Sequence, residues 1–282
     1  MWVAASMFAN FKRIQRRPGA NAIARAAAIL WAAGAALMGA SAAPGEVVPW
    51  PAPLRSGESI SYSVRWGIIP FVGTIDIAAD EIGSGSDAVL RVTTTTSTGG
   101  LARGFFPFDA RGESVYMKRS GRLLSSSEWS SYRDKVVKNS IVFNYDRELA
   151  VYTDDVHPEK SRSIPMPPTN PSDLILALIQ TRVWNLRPGE QRDTLVIFGD
   201  QFFPLTIHAE GYEYVNTGIG YFKALALVPR MEKTAPIGMF RHGSTVKVWI
   251  ETDDDRHLPV KFSVGFRFGT GTATLIDYQP PK

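Results

Sequence analysis

The chain has 282 residues, is 44% hydrophobic and 21% charged, and contains no cysteine. The lack of cysteine excludes a disulfide framework, a thiolate metal site, a cysteine nucleophile and a lipid-anchored N-terminal cysteine. The formal net charge of +4 comes from the first segment. Residues 1–42 hold five basic and no acidic side chains, and the other 240 hold 26 basic and 27 acidic ones, a net of −1. That balance lacks the electrostatic footprint of a nucleic-acid binder.

Residues 1–42 are predicted to be a secretory signal peptide. Lys12, Arg13, Arg16, Arg17 and Arg25 form a basic start, Ala26 to Ala40 is apolar or small throughout, and Ala40-Ser41-Ala42 gives an A-x-A cleavage pattern before Ala43. Cleavage one residue later would place Pro44 next to the cut. Arg16-Arg17 resembles a twin-arginine signal, but Pro18 follows directly, so the general secretory route fits better. The alternative is a retained transmembrane anchor. The apolar run of 15 residues falls short of the roughly 20 needed to span a bilayer. The expected product is periplasmic.

Residues 43–56 read as an extended entry segment, proline-rich at Val47 to Pro53. A single β-rich domain is expected over 57–280. Ile60, Tyr62, Val64 and Trp66 alternate with Ser61, Ser63 and Arg65, a period of two. Gly67 to Gly73 reads as a turn, 74–78 resumes the alternation, and the threonine-rich 89–97 reads as a strand. Strands follow at 112–118, 123–133, 136–145 and 150–153, with Asp146-Arg147 as a tight hairpin. The second half continues with 193–198, 203–210, 212–215, 221–229, 245–251, 260–266 and 271–278. One segment breaks this rhythm. Asn170 as cap, Pro171 at the first helical position and Asp173 near the positive helix end predict a helix over 171–184, stopping before Arg187-Pro188-Gly189. Its apolar run surrounds it, so it must be buried. The expected fold is all-β: a large antiparallel sheet, curled into an open or closed barrel, with one principal α-helix.

Five pieces of sequence carry a family resemblance. They are Tyr62-Ser63-Val64-Arg65-Trp66-Gly67-Ile68-Ile69-Pro70 with Gly73; Phe106-Pro107-Phe108-Asp109; Leu186-Arg187-Pro188-Gly189-Glu190; Gly220-Tyr221-Phe222-Lys223 with Leu227-Val228-Pro229; and Val248-Trp249-Ile250-Glu251-Thr252-Asp253 with Leu258-Pro259-Val260. In this order, over roughly residues 57–278, the chain resembles the bacterial family called domain of unknown function 3108. The resemblance implies an exported, half-barrel-like periplasmic protein akin to lipoprotein carriers. It implies no catalytic residues.

Little in the sequence points to catalysis. His157, His208, His242 and His257 share neither a helix nor metal-ligand spacing. No nucleophile elbow, P-loop or dinucleotide fingerprint is present. Asp253-Asp254-Asp255 sits where a hairpin turn is expected, and aspartate suits turns better than it argues for calcium. Asp76 and Asp109 are possible acids, but nothing in the sequence brings them together. No enzyme activity, metal or cofactor is expected. Aromatic weight near turns either fills a core or lines an apolar pocket in the curled sheet; for the pocket, Trp66, Phe106 and Trp129 are the candidate ligand-binding residues. The rim is expected at Phe105-Phe106-Pro107-Phe108 and Pro236 to Phe240. Two functions follow: a non-enzymatic periplasmic protein that binds a lipid or other amphiphile in its half-barrel, or a module that docks another envelope protein.

Overall fold

A computed structural model describes residues 53–282, apart from Phe268 and the side chain of Ser86. The predicted signal peptide and most of the entry segment lie outside the described residues. The fold is one curled, unclosed sheet of fifteen strands. The first half supplies β1 (Ser59–Trp66), β2 (Ile69–Ile82), β3 (Val89–Thr98), β4 (Phe108–Met117), β5 (Leu123–Tyr132), β6 (Lys135–Asn144), β7 (Leu149–Asp154), β8 (Arg162–Pro165) and β9 (Ser172–Asp173). The second half supplies β10 (Gln191–Phe198), β11 (Gln201–Asn216), β12 (Tyr221–Arg230), β13 (Thr245–Glu251), β14 (Pro259–Phe266) and β15 (Gly269–Gln279). Sequential strands pair antiparallel from β1 to β8 and from β10 to β15, β1 pairs with β15 in mid-sheet, and β9 joins β10 in parallel. The two edges are therefore β8 and β9.

The alternation in β1 works as expected through most of the strand. Ile60, Tyr62 and Val64 are buried while Ser61 and Ser63 are only partly covered. Tyr62 packs edge-on against Phe262 of β14, and its hydroxyl donates to the Pro259 carbonyl at 2.7 Å. The β1–β2 turn is tighter than the sequence suggests. Only Gly67 and Ile68 form it, and β2 starts at Ile69. Gly67 takes a φ of 54°, a left-handed conformation that glycine adopts without strain. The two strands expected at 203–210 and 212–215 are one strand, β11, with a bulge between Ala209 and Gly211.

The helix begins three residues later than its sequence signals suggest. Ser172 and Asp173 are held extended by pairing with Val196 and Ile197 of β10, and the cap is Asp173, not Asn170. The Asp173 carboxylate accepts from the Leu176 N–H at 3.0 Å. Helix α2 (Leu174–Ile179) continues as a 3-10 turn to Val183. A short helix, α1 (Gly100–Phe105), precedes it in the chain. All of α2 except Ile175 is buried. It packs on the sheet within one apolar cluster, alongside Leu205, Ile207, Leu227, Val248 and Leu275. The helix thus occupies part of the half-barrel's interior. Arg182, just beyond α2, anchors it. Its guanidinium meets the buried Glu58 carboxylate at 2.7 Å and donates to the Arg256 carbonyl.

Candidate functional site

The connections β1–β2, β3–β4 and β5–β6 emerge at the same end of the half-barrel, because the intervening strands alternate in direction. This end holds all three aromatic residues picked out from the sequence, but in three settings. Trp66 is half-buried and stacks on Phe266 at 6.3 Å. Its indole crosses Gly269, where a Cβ would come within 2.8 Å of Nε1. Phe106 is 3% exposed and packs against Tyr132 at 4.4 Å and Phe108 at 6.1 Å. Trp129 is 41% exposed and faces outward from β5. None of the three lines either of the two cavities described below.

The turn after β3 reverses the expected roles of Phe105 and Phe106. Helix α1 is six residues long, and Leu101 and Phe105, four residues apart, share a face. That face points to solvent: Leu101 is 89% and Phe105 77% exposed. Phe106, just past the helix, turns into the core. Helix α1 packs against the start of β2 through Phe71, whose ring lies over Gly99 and Gly100. Substituting Gly99 would place a Cβ 2.7 Å from that ring. Next to α1, the β1–β2 tip presents Ile68, which is fully exposed at 100%, followed by the exposed Ile69 and Phe71. Two neighbouring protrusions thus carry large apolar side chains into water. The other expected rim segment behaves differently: Met239 is buried, and Phe240 contacts Phe198 at 6.4 Å.

Inside the half-barrel, the inward row crossing β3 to β6 is Thr94, Gly112, Glu128 and Asn139. With Ser114, Ser126 and the first turn of α2, it lines a cavity of about 90 Å³, room for a few water-sized groups. Its floor is polar and its roof, Leu174 to Leu176 with Ile197, is apolar. Glu128 was not apparent from the sequence. Its Oε1 is shielded from solvent and meets no hydrogen-bond partner among the described residues. Burial pushes its carboxyl up to about 6. Asp173, on the same cavity, is satisfied by the Tyr116 hydroxyl at 2.8 Å and by the Leu176 N–H. A second, larger groove of about 530 Å³ runs between the β4–β5 turn, the 168–172 approach to α2, and β10. Pro168, Pro171, Leu195 and Pro204 alternate in its wall with Arg122, Gln180, Asp193 and Lys233.

The acidic turn and three of the four histidines, His157, His208 and His257, have local partners. The Asp254 carboxylate accepts from the Arg256 N–H and Nε, both at 2.7 Å, and Arg256 holds it down at about 2. Asp253 accepts from the Lys223 N–H, and the buried Glu251 accepts from the N–H groups of Asp253 and Asp254. These carboxylates build the β13–β14 hairpin, as aspartates in turns do. His208 pairs with Glu232 at 2.9 Å, His257 meets the Glu251 carbonyl, and His157 lies near Glu159. Asp76 binds Ser61, and Asp109 forms a two-pronged pair with Arg103.

Among solved structures, the fold is similar to a beta-barrel-like protein of domain of unknown function DUF1849 from Brucella abortus. The match covers 81% of this chain and 99% of that one at 8% identity, with a TM-score of 0.50. A Bacteroides fragilis protein of YmcC-like fold matches over 82% of this chain and 99% of its own, at 11% identity and a TM-score of 0.31. No curated protein matches the sequence. The family model described as protein of unknown function, DUF3108, matches residues 61–276. That range runs from within β1 to within β15, so the match takes in both protruding apolar tips and the row around Glu128, and the chain belongs to the DUF3108 family.

Proposed function

We propose that this chain is a non-enzymatic protein of the cell envelope that binds an apolar or amphiphilic partner, and that it does so at the exposed end of the half-barrel. The signal-like leader supports export. The observation that carries the binding reading is the exposure of Ile68, Leu101 and Phe105 on two adjacent protrusions of a fold whose interior is partly occupied by α2. Isolated exposed apolar side chains are ordinary. Contiguous ones rimmed by polar residues mark an interaction site. The test is binding of the purified protein to dodecyl-chain detergent micelles. Leu101→Ser with Phe105→Ser should weaken it at least tenfold and leave the circular dichroism unchanged. Undiminished binding would place the partner elsewhere.

A second reading, with a ligand held in the half-barrel, rests on the groove of about 530 Å³. That size suits a small amphiphile, and its wall mixes prolines with Arg122 and Lys233. Binding that survives the rim substitutions but is lost with Leu195→Trp, which would fill the groove, would favour it.

A further inference from the structure

We infer that the partner of this exposed end is the surface of an anionic lipid bilayer; the inference rests on the docking reading above and names its partner. The first ground is shape. The apolar groups stand on tips: Ile68 at a two-residue turn, and Leu101 with Phe105 on one face of a six-residue helix. A protein partner would need a complementary surface packed around each tip. A bilayer receives neighbouring protrusions of this kind by letting each enter the boundary between headgroups and acyl chains.

The second ground is charge. Segments 65–71, 99–111 and 129–138 form or flank this end. They carry six basic residues, Arg65, Arg103, Arg111, Arg133, Lys135 and Lys138, against Asp109 and Asp134. Residues 43–282 as a whole are net −1, so positive charge is concentrated here and the rest of the fold is acidic. Arg103 is answered by Asp109, Arg111 by Glu113 and Lys138 by Asp155. Arg65, Arg133 and Lys135 make no ion pair among the described residues. Arg133 instead donates to the Phe105 carbonyl at 3.1 Å and lies over the Tyr132 ring, which fixes a cation directly beside an exposed phenylalanine. Cations around inserted apolar groups are what an anionic headgroup layer attracts.

The third ground is Trp129. It lies on the outer face, paired across the sheet with Arg111 on β4 and Lys138 on β6. A half-exposed tryptophan between two cations suits the headgroup level of a membrane, where an apolar ring and a polar N–H are both satisfied.

The experiment is co-flotation of the purified protein with vesicles. One set contains phosphatidylglycerol and phosphatidylethanolamine, the other phosphatidylcholine alone. Binding to the anionic vesicles is expected to exceed that to the neutral ones at least tenfold. Arg65→Gln with Lys135→Gln should lower it about thirtyfold, as should raising the salt to about 1 M, which shortens the Debye length to ~3 Å. Leu101→Ser with Phe105→Ser should lower it at least tenfold. Absence of binding to anionic vesicles, or binding indifferent to both pairs of substitutions, overturns the inference. If vesicles fail while micelles still bind in a Leu101- and Phe105-dependent way, the docking reading stands and the bilayer is not the partner. If neither binds, both readings fall.

Discussion

Replacing Glu128 by glutamine should make the protein more stable at neutral pH, and by an amount that depends on pH in a specified way. Burial raises the folded-state pKa of this carboxyl from 4.5 to about 6. The folded protein therefore holds the proton more tightly than the unfolded chain does. That contribution is fully present below the unfolded pKa and is lost as pH rises through about 6. At ~1.4 kcal/mol per pH unit, the gap amounts to about 2 kcal/mol. Glu128→Gln keeps the shape, never ionises, and escapes this loss. In urea titrations at pH 4 and pH 8, the stability of the variant relative to the parent should rise by about 2 kcal/mol between the two. By melting, the same difference is roughly 4–8 °C. An equal difference at both pH values would show that Glu128 is solvated or paired in the folded state and would refute the reasoning.

Arg182→Met should destabilise by about 3–5 kcal/mol, because it leaves the buried Glu58 carboxylate without its cation; denaturant midpoints at pH 7 measure it. Leu178, fully buried in α2, should cost about 2–5 kcal/mol as Leu178→Ala, and an unchanged melting midpoint would show that the helix does not fill the sheet. Gly73→Ala would set a Cβ 2.1 Å from the Ser97 carbonyl oxygen. It should part β2 from β3 and speed amide exchange at Thr74 and Ile75, whereas Gly104→Ala, with open space around it, should not.

The sequence carries the fold where parity is uninterrupted. Ile60, Tyr62 and Val64 all point inward as their spacing requires. The sequence misleads where a single residue shifts the count. In β5, Leu123 faces in, and counting by twos from it would bring Trp129 inward as well. A bulge at Leu124, between the Leu123–Tyr116 and Ser125–Val115 pairs, reverses the parity. Trp129 therefore faces out, and Ser126, Glu128 and Ser130 face in. A run of serines around one glutamate, Ser125 to Ser131, was the available signal, but the bulge that orients it depends on the partner strand. Helix α1 was hidden for a related reason. Gly99, Gly100 and Gly104 are poor helix formers, and the turn exists because its backbone lies under the Phe71 ring. The start of α2 was displaced because Pro171 and Asn170 look like helix-opening residues, while the parallel pairing that keeps 172–173 extended leaves no local trace. The expectation of a leader and of export rests on residues 1–42 alone.

Because the chain has no native cysteine, one position at a time can be labelled. An environment-sensitive fluorophore at Leu101→Cys, compared with one at Arg187→Cys in the α2–β10 connection at the opposite end, tests the central claim directly. On adding envelope membranes from the producing cells, the label at 101 should shift to the blue and become shielded from aqueous quencher, while the label at 187 stays unchanged. A label at 101 that remains fully quenchable, or an equal response at both positions, would contradict binding through the exposed end of the half-barrel.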